Sequence, residues 1–187
     1  MTKVAILGFG TVGSGVAEVL SKNSQGIARR SGGEIQVKYI LDVRDFPDSP
    51  FKDCFVKDFS IIENDPEVDV VVETIGGAKV ALEFTTRALK AGKSVVSSNK
   101  ELVATHGYEL LQLAMANGVS YLFEASVGGG IPILRPLTNC LAANEVEQIT
   151  GILNGTTNYI LTRMIKAGLT FEPVSYTHLR AHETSQD

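Results

Sequence analysis

Three glycines near the amino end, Gly8, Gly10 and Gly13 in VAILGFGTVG, stand at G-x-G-x-x-G spacing, and each position has a use in phosphate chemistry. Gly8 allows a sharp turn, Gly10 removes the Cβ that would hold a pyrophosphate off the backbone, and Gly13 lets the next helix pack close to the strand. The first N–H groups of that helix then face the phosphates, with the helix dipole behind them. A bare triplet also suits a tight turn that holds nothing. Here an apolar run, the triplet and a helical pattern come in the order that dinucleotide binding requires. Two residues farther on have types suited to the cofactor's ribose: a carboxylate such as Asp42 bonds a 2′-hydroxyl, and a guanidinium such as Arg44 meets a 2′-phosphate. Asp42 is farther from Gly13 than the usual ~20 residues, so Arg44 is the expected contact with the adenosine ribose or its phosphate. Either residue can also be read as a solvated charge at a loop start, and the choice between NAD and NADP stays open.

These side chains need elements to hold them. Val4, Ala5, Ile6 and Leu7 read as a buried strand, and Val12, Val16, Val19 and Leu20 recur at helical spacing from Thr11 until the pattern frays over residues 22–26. Ile35, Val37, Tyr39 and Leu41 alternate as a second strand ending near Asp42. Residues 45–59, rich in Pro, Asp and Lys, read as a surface connection. Val70, Val71 and Val72 form a strand that runs into ETIGG, the kind of glycine loop that lines the crevice at strand ends. A helix over 78–91 with Val80, Leu82, Phe84 and Leu89 as packing candidates, a strand at 94–97, a helix over 101–117 using Leu102, Leu110, Leu111 and Leu113, and a strand at 119–123 follow. This alternation predicts an α/β fold, a doubly wound Rossmann-type parallel sheet covered on both faces. From Glu124 the style changes. EASVGGGIP reads as irregular, 134–141 as helical, 146–153 as a strand, and NGTTNYIL as the opening of another helix. The expected division is a dinucleotide-binding domain over 1–130, the beginning of a second, α+β domain over 131–172, and a tail over 173–187.

Composition narrows the classes of function. The 187 residues are 44% hydrophobic and 20% charged, with a formal charge of -4 and a pI near 5.4, and Lys and Arg form no basic block. Such a chain offers nucleic acid no attractive field. No apolar stretch approaches the ~20 residues needed to span a bilayer, and no signal-peptide pattern precedes the first strand, so the expected place is the cytoplasm, away from membranes. Cys54 and Cys140 lie far apart without a CxxC or Cys/His cluster, which suggests neither a disulfide framework nor a zinc site.

Taken in order, VAILGFGTVG, ETIGG, SSNK, EASVGGGIPI and GILNGTTNYIL resemble homoserine dehydrogenases over roughly residues 2–172. The resemblance implies an oxidoreductase that interconverts aspartate 4-semialdehyde and homoserine with NADPH or NADH, on the route to threonine, methionine and isoleucine. It implies that Phe9, Gly10, Thr11 and Val12 touch the pyrophosphate, Arg44 the adenosine ribose, and Thr74 with Ile75 the nicotinamide side. Lys100 matches the family's lysine between nicotinamide and substrate, where an ammonium can bond the substrate oxygen and stabilise developing charge; a solvated first-turn lysine is the plainer alternative. Glu124, through its carboxylate, and Val127, Gly129 and Ile131, through backbone carbonyls, correspond to a site for a monovalent cation such as Na⁺. Asn154 to Asn158 correspond to the junction of cofactor and substrate, although helix capping explains part of that pattern. The family also implies a homodimer formed through residues 132–169.

After Glu172 the chain reads PVSYTHLRAHETSQD, which has little apolar periodicity and is expected to be foreign to the family and disordered. The family's further substrate-binding carboxylates and second lysine have no counterpart here, so weak turnover of homoserine is expected. His178 and His182 stand at i, i+4 without a further ligand, and His106 reads as a surface or half-buried residue. Two rival functions remain at this level: a module that senses NAD(P)H without turnover, and a semialdehyde dehydrogenase acting by acylation. The second requires an activated thiol in the crevice, a place to which Cys140 is poorly matched.

Overall fold

A computed structural model describes residues 1–152 and 155–171. Six strands, β1 (Thr2–Leu7), β2 (Ile35–Leu41), β3 (Phe55–Val56), β4 (Val70–Glu73), β5 (Ser94–Ser97) and β6 (Tyr121–Leu122), form one sheet in the order β3-β2-β1-β4-β5-β6. Every pairing is parallel, and the order is that of a doubly wound dinucleotide-binding sheet. β1 lies in the middle. Val4 to Leu7 are all buried, because alternate side chains serve opposite faces. Val4 and Ile6 join Ala17 and Ile40 in one core, while Ala5 and Leu7 join Leu41, Val71, Val95, Leu89, Leu102 and Leu110 in the other. Each large aliphatic side chain buried in this way contributes about 1.5–3 kcal/mol.

The helices α1 (Thr11–Lys22) and α2 (Ser24–Ser31) follow β1, and α3 (Phe59–Glu63), α4 (Lys79–Lys90) and α5 (Lys100–Ala116) cover the remaining connections. Two of these positions differ from the sequence reading. Instead of fraying over 22–26, the chain starts α2 at Ser24 after one residue outside the helix. α1 also turns small residues to the sheet: Gly13 and Ala17 are buried, whereas Val12 and Val19 are half exposed, at 53% and 51%. The close approach of α1 leaves no room for branched side chains on that line. In α4 the buried residues are Ala81, Thr85, Ala88 and Leu89, and Val80 is left exposed.

Residues 45–59 contain β3, which the sequence reading missed. Two residues paired with Ile40 and Leu41 are too short to show periodicity. Past β6, a helical turn α6 (Glu124–Gly128) occupies part of the stretch read as irregular, so that only residues 129–132 of it lie outside regular structure. A π-helical turn spans Pro136–Cys140. The first compact unit is Met1–Ala142, reaching past residue 130. The second unit, Ala143–Asp187, contains α7 (Gly155–Ala167). Residues 146–152 were expected in a strand and form none; among the described residues of that unit no other strand offers a ladder to pair with.

Candidate functional site

β1 ends at the glycine turn, and the neighbouring strands pin it. The Gly8 N–H donates to the Leu41 carbonyl at 2.8 Å, and the Thr74 N–H donates to the Leu7 carbonyl at 3.0 Å. The Thr74 hydroxyl lies 2.9 and 3.0 Å from the carbonyl oxygens of Leu7 and Gly8. Gly8 has φ +89°, where side chains are strained, and a Cβ on Gly13 would fall 1.9 Å from the Gly8 carbonyl oxygen. Gly10 differs from both: a Cβ there would meet nothing within 4 Å. It is the N-cap of α1, no side chain caps that helix, and no acid lies in its first turn. The donors that begin α1 therefore face open space beyond Gly10. This fits the pyrophosphate of a dinucleotide, which needs N–H groups, a helix N-terminus and no intervening Cβ.

At the end of β2, Asp42 and Arg44 are one unit. The Asp42 carboxylate is 8% exposed and accepts from the Phe9 N–H at 2.7 Å, the Arg44 N–H at 2.9 Å, and the Arg44 guanidinium at 3.2 and 3.1 Å. Burial pushes its pKa up, but the hydrogen bonds from Arg44 and Phe9 prevail and hold it at about 2. Asp42 thus spends its lone pairs on the protein, while the Arg44 side chain stays 60% exposed and lies 5.1 Å from the Phe46 ring centre. Phe9, expected at the pyrophosphate, gives its own N–H to Asp42. Its ring packs edge-on against Phe46 and Phe55, at 5.1 and 5.0 Å. Lys57 holds the Arg44 loop from below, donating to the carbonyls of Val43 at 3.1 Å and Arg44 at 2.6 Å. Sequence reasoning missed Lys57, which sits in a connection with no legible pattern.

A cleft of about 490 Å³ joins these parts. Gly8, Gly10, Asp42, Arg44, Thr74 and Ile75 line it, with Lys57, Val80 and Phe84. Across β4 from the glycine turn, the Asn99 side chain accepts from the Leu102 N–H at 3.1 Å, capping α5, and donates to the carbonyls of Ile75 at 3.0 Å and Gly77 at 2.8 Å. The next residue, Lys100, opens α5. It is exposed and its ammonium makes no ion pair among the described residues. A cation at a helix N-terminus opposes the dipole, so nothing local accounts for Lys100 being there.

At α6 the Glu124 carboxylate accepts three backbone N–H groups, from Ile133 at 2.6 Å and Leu134 at 2.8 Å on Oε1 and from Arg135 at 2.9 Å on Oε2. The Ile133 bond first, with those from Arg135 and Leu134, holds its pKa below the usual carboxylate range against the effect of burial. These bonds also tie residues 133–135 to α6 within the first unit. A carboxylate has about four acceptor positions, so one, on Oε2, is left for another ligand. The carbonyl of Gly128 accepts from the Ile131 N–H at 3.0 Å.

Two family models match the chain: the NAD-binding domain of homoserine dehydrogenase over residues 8–124 and the homoserine dehydrogenase domain over residues 132–178. The chain belongs to the homoserine dehydrogenase family. Homoserine dehydrogenase of Pseudomonas aeruginosa is 44% identical over 174 residues, which are 92% of this chain and 40% of that protein. The Bacillus subtilis enzyme is 41% identical over similar shares. Among solved structures, homoserine dehydrogenase from Thiobacillus denitrificans superimposes with a TM-score of 0.86 at 39% identity, covering 97% of this chain and 42% of that one. A hyperthermophilic archaeal homoserine dehydrogenase in complex with NADPH gives 0.78 at 28% identity, covering 94% and 60%. The chain spans about 40% of the length of the curated relatives it matches.

Asn154, His178, His182 and the tail from 173 lie outside the described residues, and Thr157 and Asn158 lie in α7. His106 meets Glu109 at 3.2 Å on the surface of α5. Among the described residues, no three His, Cys, Asp or Glu side chains group as metal ligands, and no helix is long and apolar enough to cross a membrane. Besides Lys57, sequence reasoning missed Glu73 and Asn99. Asn99 carried a readable signal, an Asn directly before a helix. Glu73 carried a subtler one, an acid ending an apolar strand.

Proposed function

We propose that this chain is the nicotinamide-cofactor part of an enzyme that interconverts aspartate 4-semialdehyde and homoserine with NADPH or NADH. The observation that carries the proposal is the uncapped start of α1 facing open space at Gly10, in a cleft that Arg44, Thr74 and Ile75 also line. Gly10, Thr11 and Val12 would hold the pyrophosphate, with Gly8 and Gly13 shaping the turn. Arg44 would hold the adenosine ribose and any 2′-phosphate, because its exposed guanidinium keeps donors free while Asp42 is already committed. Thr74 and Ile75 would flank the nicotinamide. When bound, the nicotinamide supplies or takes the hydride. Lys100 would hold the substrate oxygen, where its charge counts for more the less water remains.

Glu124, with its one remaining acceptor position, and the backbone carbonyls of Val127, Gly129 and Ile131 would hold a monovalent cation. The homodimer belongs to the same proposal. Within the second unit, Leu161, Ile165 and Phe171 are exposed, which supports burial against another copy.

Titration with NADPH and with NADH, followed by dihydronicotinamide fluorescence, tests the cofactor site on the parent and on Gly10→Val. The variant's side chain has room, so it should melt with the parent and lose cofactor binding. Undiminished affinity in a folded Gly10→Val protein would refute the site. Homoserine-dependent reduction of NADP⁺, read at 340 nm on the full-length enzyme, tests the reaction.

A further inference from the structure

Glu73 is the most buried carboxyl group of the described residues, at 0% exposure, and none of the roles above uses it. It ends β4 directly before the loop that carries Thr74 and Ile75. Desolvation of such a group is costly unless hydrogen bonds offset it. Burial pushes its pKa up, and the hydrogen bonds from Ser97 and the Ile75 N–H oppose that without reversing it.

Its bonds close a ring. The Ile75 N–H donates to Glu73 Oε1 at 2.8 Å, and the Ser97 hydroxyl donates to Glu73 Oε2 at 2.6 Å. Ser97 Oγ accepts from the Asn99 N–H at 3.1 Å, and the Asn99 amide returns to the Ile75 carbonyl at 3.0 Å. Four residues at the ends of β4 and β5 are thereby fixed to one another, and Lys100 follows the last of them. On the β6 side the Tyr121 hydroxyl is buried without a hydrogen-bond partner among the described residues. Its pKa is pushed up to about 12, by burial first and also by the Glu73 charge. The ring is thus buried on that side; it meets the cleft at Ile75, which lines it, and ends at Asn99, directly before Lys100 at the start of α5.

We infer that Glu73 is a positioning residue for the nicotinamide end of the cofactor: through the ring with Ser97 and Asn99 it sets where Ile75 and Lys100 stand relative to each other. This rests on the cofactor reading above. In that reading the adenosine end is held by Arg44, itself fixed by Asp42, and neither residue shares a bond with the ring. The effect of breaking the ring is therefore expected at one end of the ligand only.

The test compares the parent with Glu73→Ala, Glu73→Gln and Ser97→Ala, each titrated with NADPH and with 2′,5′-ADP, a fragment that has the adenosine end alone. If the parent prefers NADH, ADP takes the place of 2′,5′-ADP. Glu73→Ala and Ser97→Ala should weaken the dinucleotide about tenfold, the scale of one lost hydrogen bond, and leave the fragment's affinity unchanged. Glu73→Gln keeps one acceptor and should fall between parent and Glu73→Ala. Should Glu73→Ala not fold, the other two variants carry the comparison. Equal losses for both ligands would make Glu73 a general support of the fold and overturn the assignment, as would undiminished dinucleotide affinity. A parent that binds the fragment but gains nothing from the nicotinamide half also overturns it. A parent that binds neither ligand removes the cofactor reading itself, and this assignment with it.

Discussion

At the amino edge of the sheet, Lys38 lies 2.5 Å from Asp65 and 2.6 Å from Glu67, and Lys3 lies 2.8 Å from Glu67. Tyr39 donates to Asp65 at 2.8 Å, and the buried Lys93 donates to the carbonyls of Asp65 at 2.6 Å and Val68 at 3.1 Å. At the carboxyl edge, the first donors of α1 have no side-chain cap, the Arg44 guanidinium is partly free, and Lys100 has no partner among the described residues. The same residue types are used to opposite ends. Groups that satisfy one another contribute to the fold and attract nothing further, whereas groups left unsatisfied at one edge break the local rules in a way that a ligand would repair. The two buried acids of the carboxyl edge add a second contrast. Asp42 is held ionised by Arg44 and Phe9, while burial dominates at Glu73 and favours its proton.

The largest expected effect comes from removing the close approach of α1 to the glycine turn. Gly13→Ala places a methyl group where the Gly8 carbonyl already stands, a backbone clash that no side-chain rotation relieves. It should cost on the order of 3 kcal/mol of stability and abolish cofactor binding. A thermal melt beside a cofactor titration shows both, and a variant that melts with the parent would mean that α1 can move away from β1 freely. A smaller effect, confined to the carboxyl edge, is expected from Arg44→Ala. NADPH affinity should fall roughly 10- to 100-fold, the worth of hydrogen bonds to a charged group, with NADH affected less and a modest fall in melting temperature, because Asp42 loses its charged partner. Equal losses for the two cofactors would take the 2′-phosphate away from Arg44.

The smallest effect lies at the amino edge. Lys38→Met should lower the melting temperature and leave cofactor affinity unchanged. Asp65 is held at about 2, by Lys38 first, against its ordinary 3.8. A depressed carboxylate pKa stabilises the fold above the ordinary value and loses that contribution as pH falls. The difference between Lys38→Met and the parent should therefore be complete above pH 3.8 and shrink as pH falls towards 2. A difference that persists at pH 2 would place the effect in packing and not in charge.

Much of this contrast is legible in the sequence where chemistry and periodicity coincide. The glycine spacing marks the turn at Gly8, Gly10 and Gly13, and four consecutive apolar residues mark β1. What is not legible depends on partners far along the chain. β3 exists because Ile40 and Leu41 have a free edge. The inward face of α1 is Gly13 and Ala17 because the helix is drawn close to the strand, against the preference that Val12 and Val19 suggest. The ring around Glu73 joins residues 24 apart in the chain and leaves no local pattern. Lys57 acquires its place only through the backbone of residues 43 and 44.

The central position of β1 has a consequence for how the protein comes into being. Both partners of β1 come later in the chain, β2 and then β4, so its apolar residues wait for segments about 30 and then 70 residues downstream. Parallel pairings at such separation cannot form locally, and chains dominated by them fold slowly, with unpaired strands exposed to aggregation in the meantime. The bonds from Gly8 to Leu41 and from Thr74 to Leu7 and Gly8 are the last links at that edge. The glycine turn therefore has its full set of bonds only once β4 is paired, and a chain still short of residue 74 lacks one wall of the cofactor pocket.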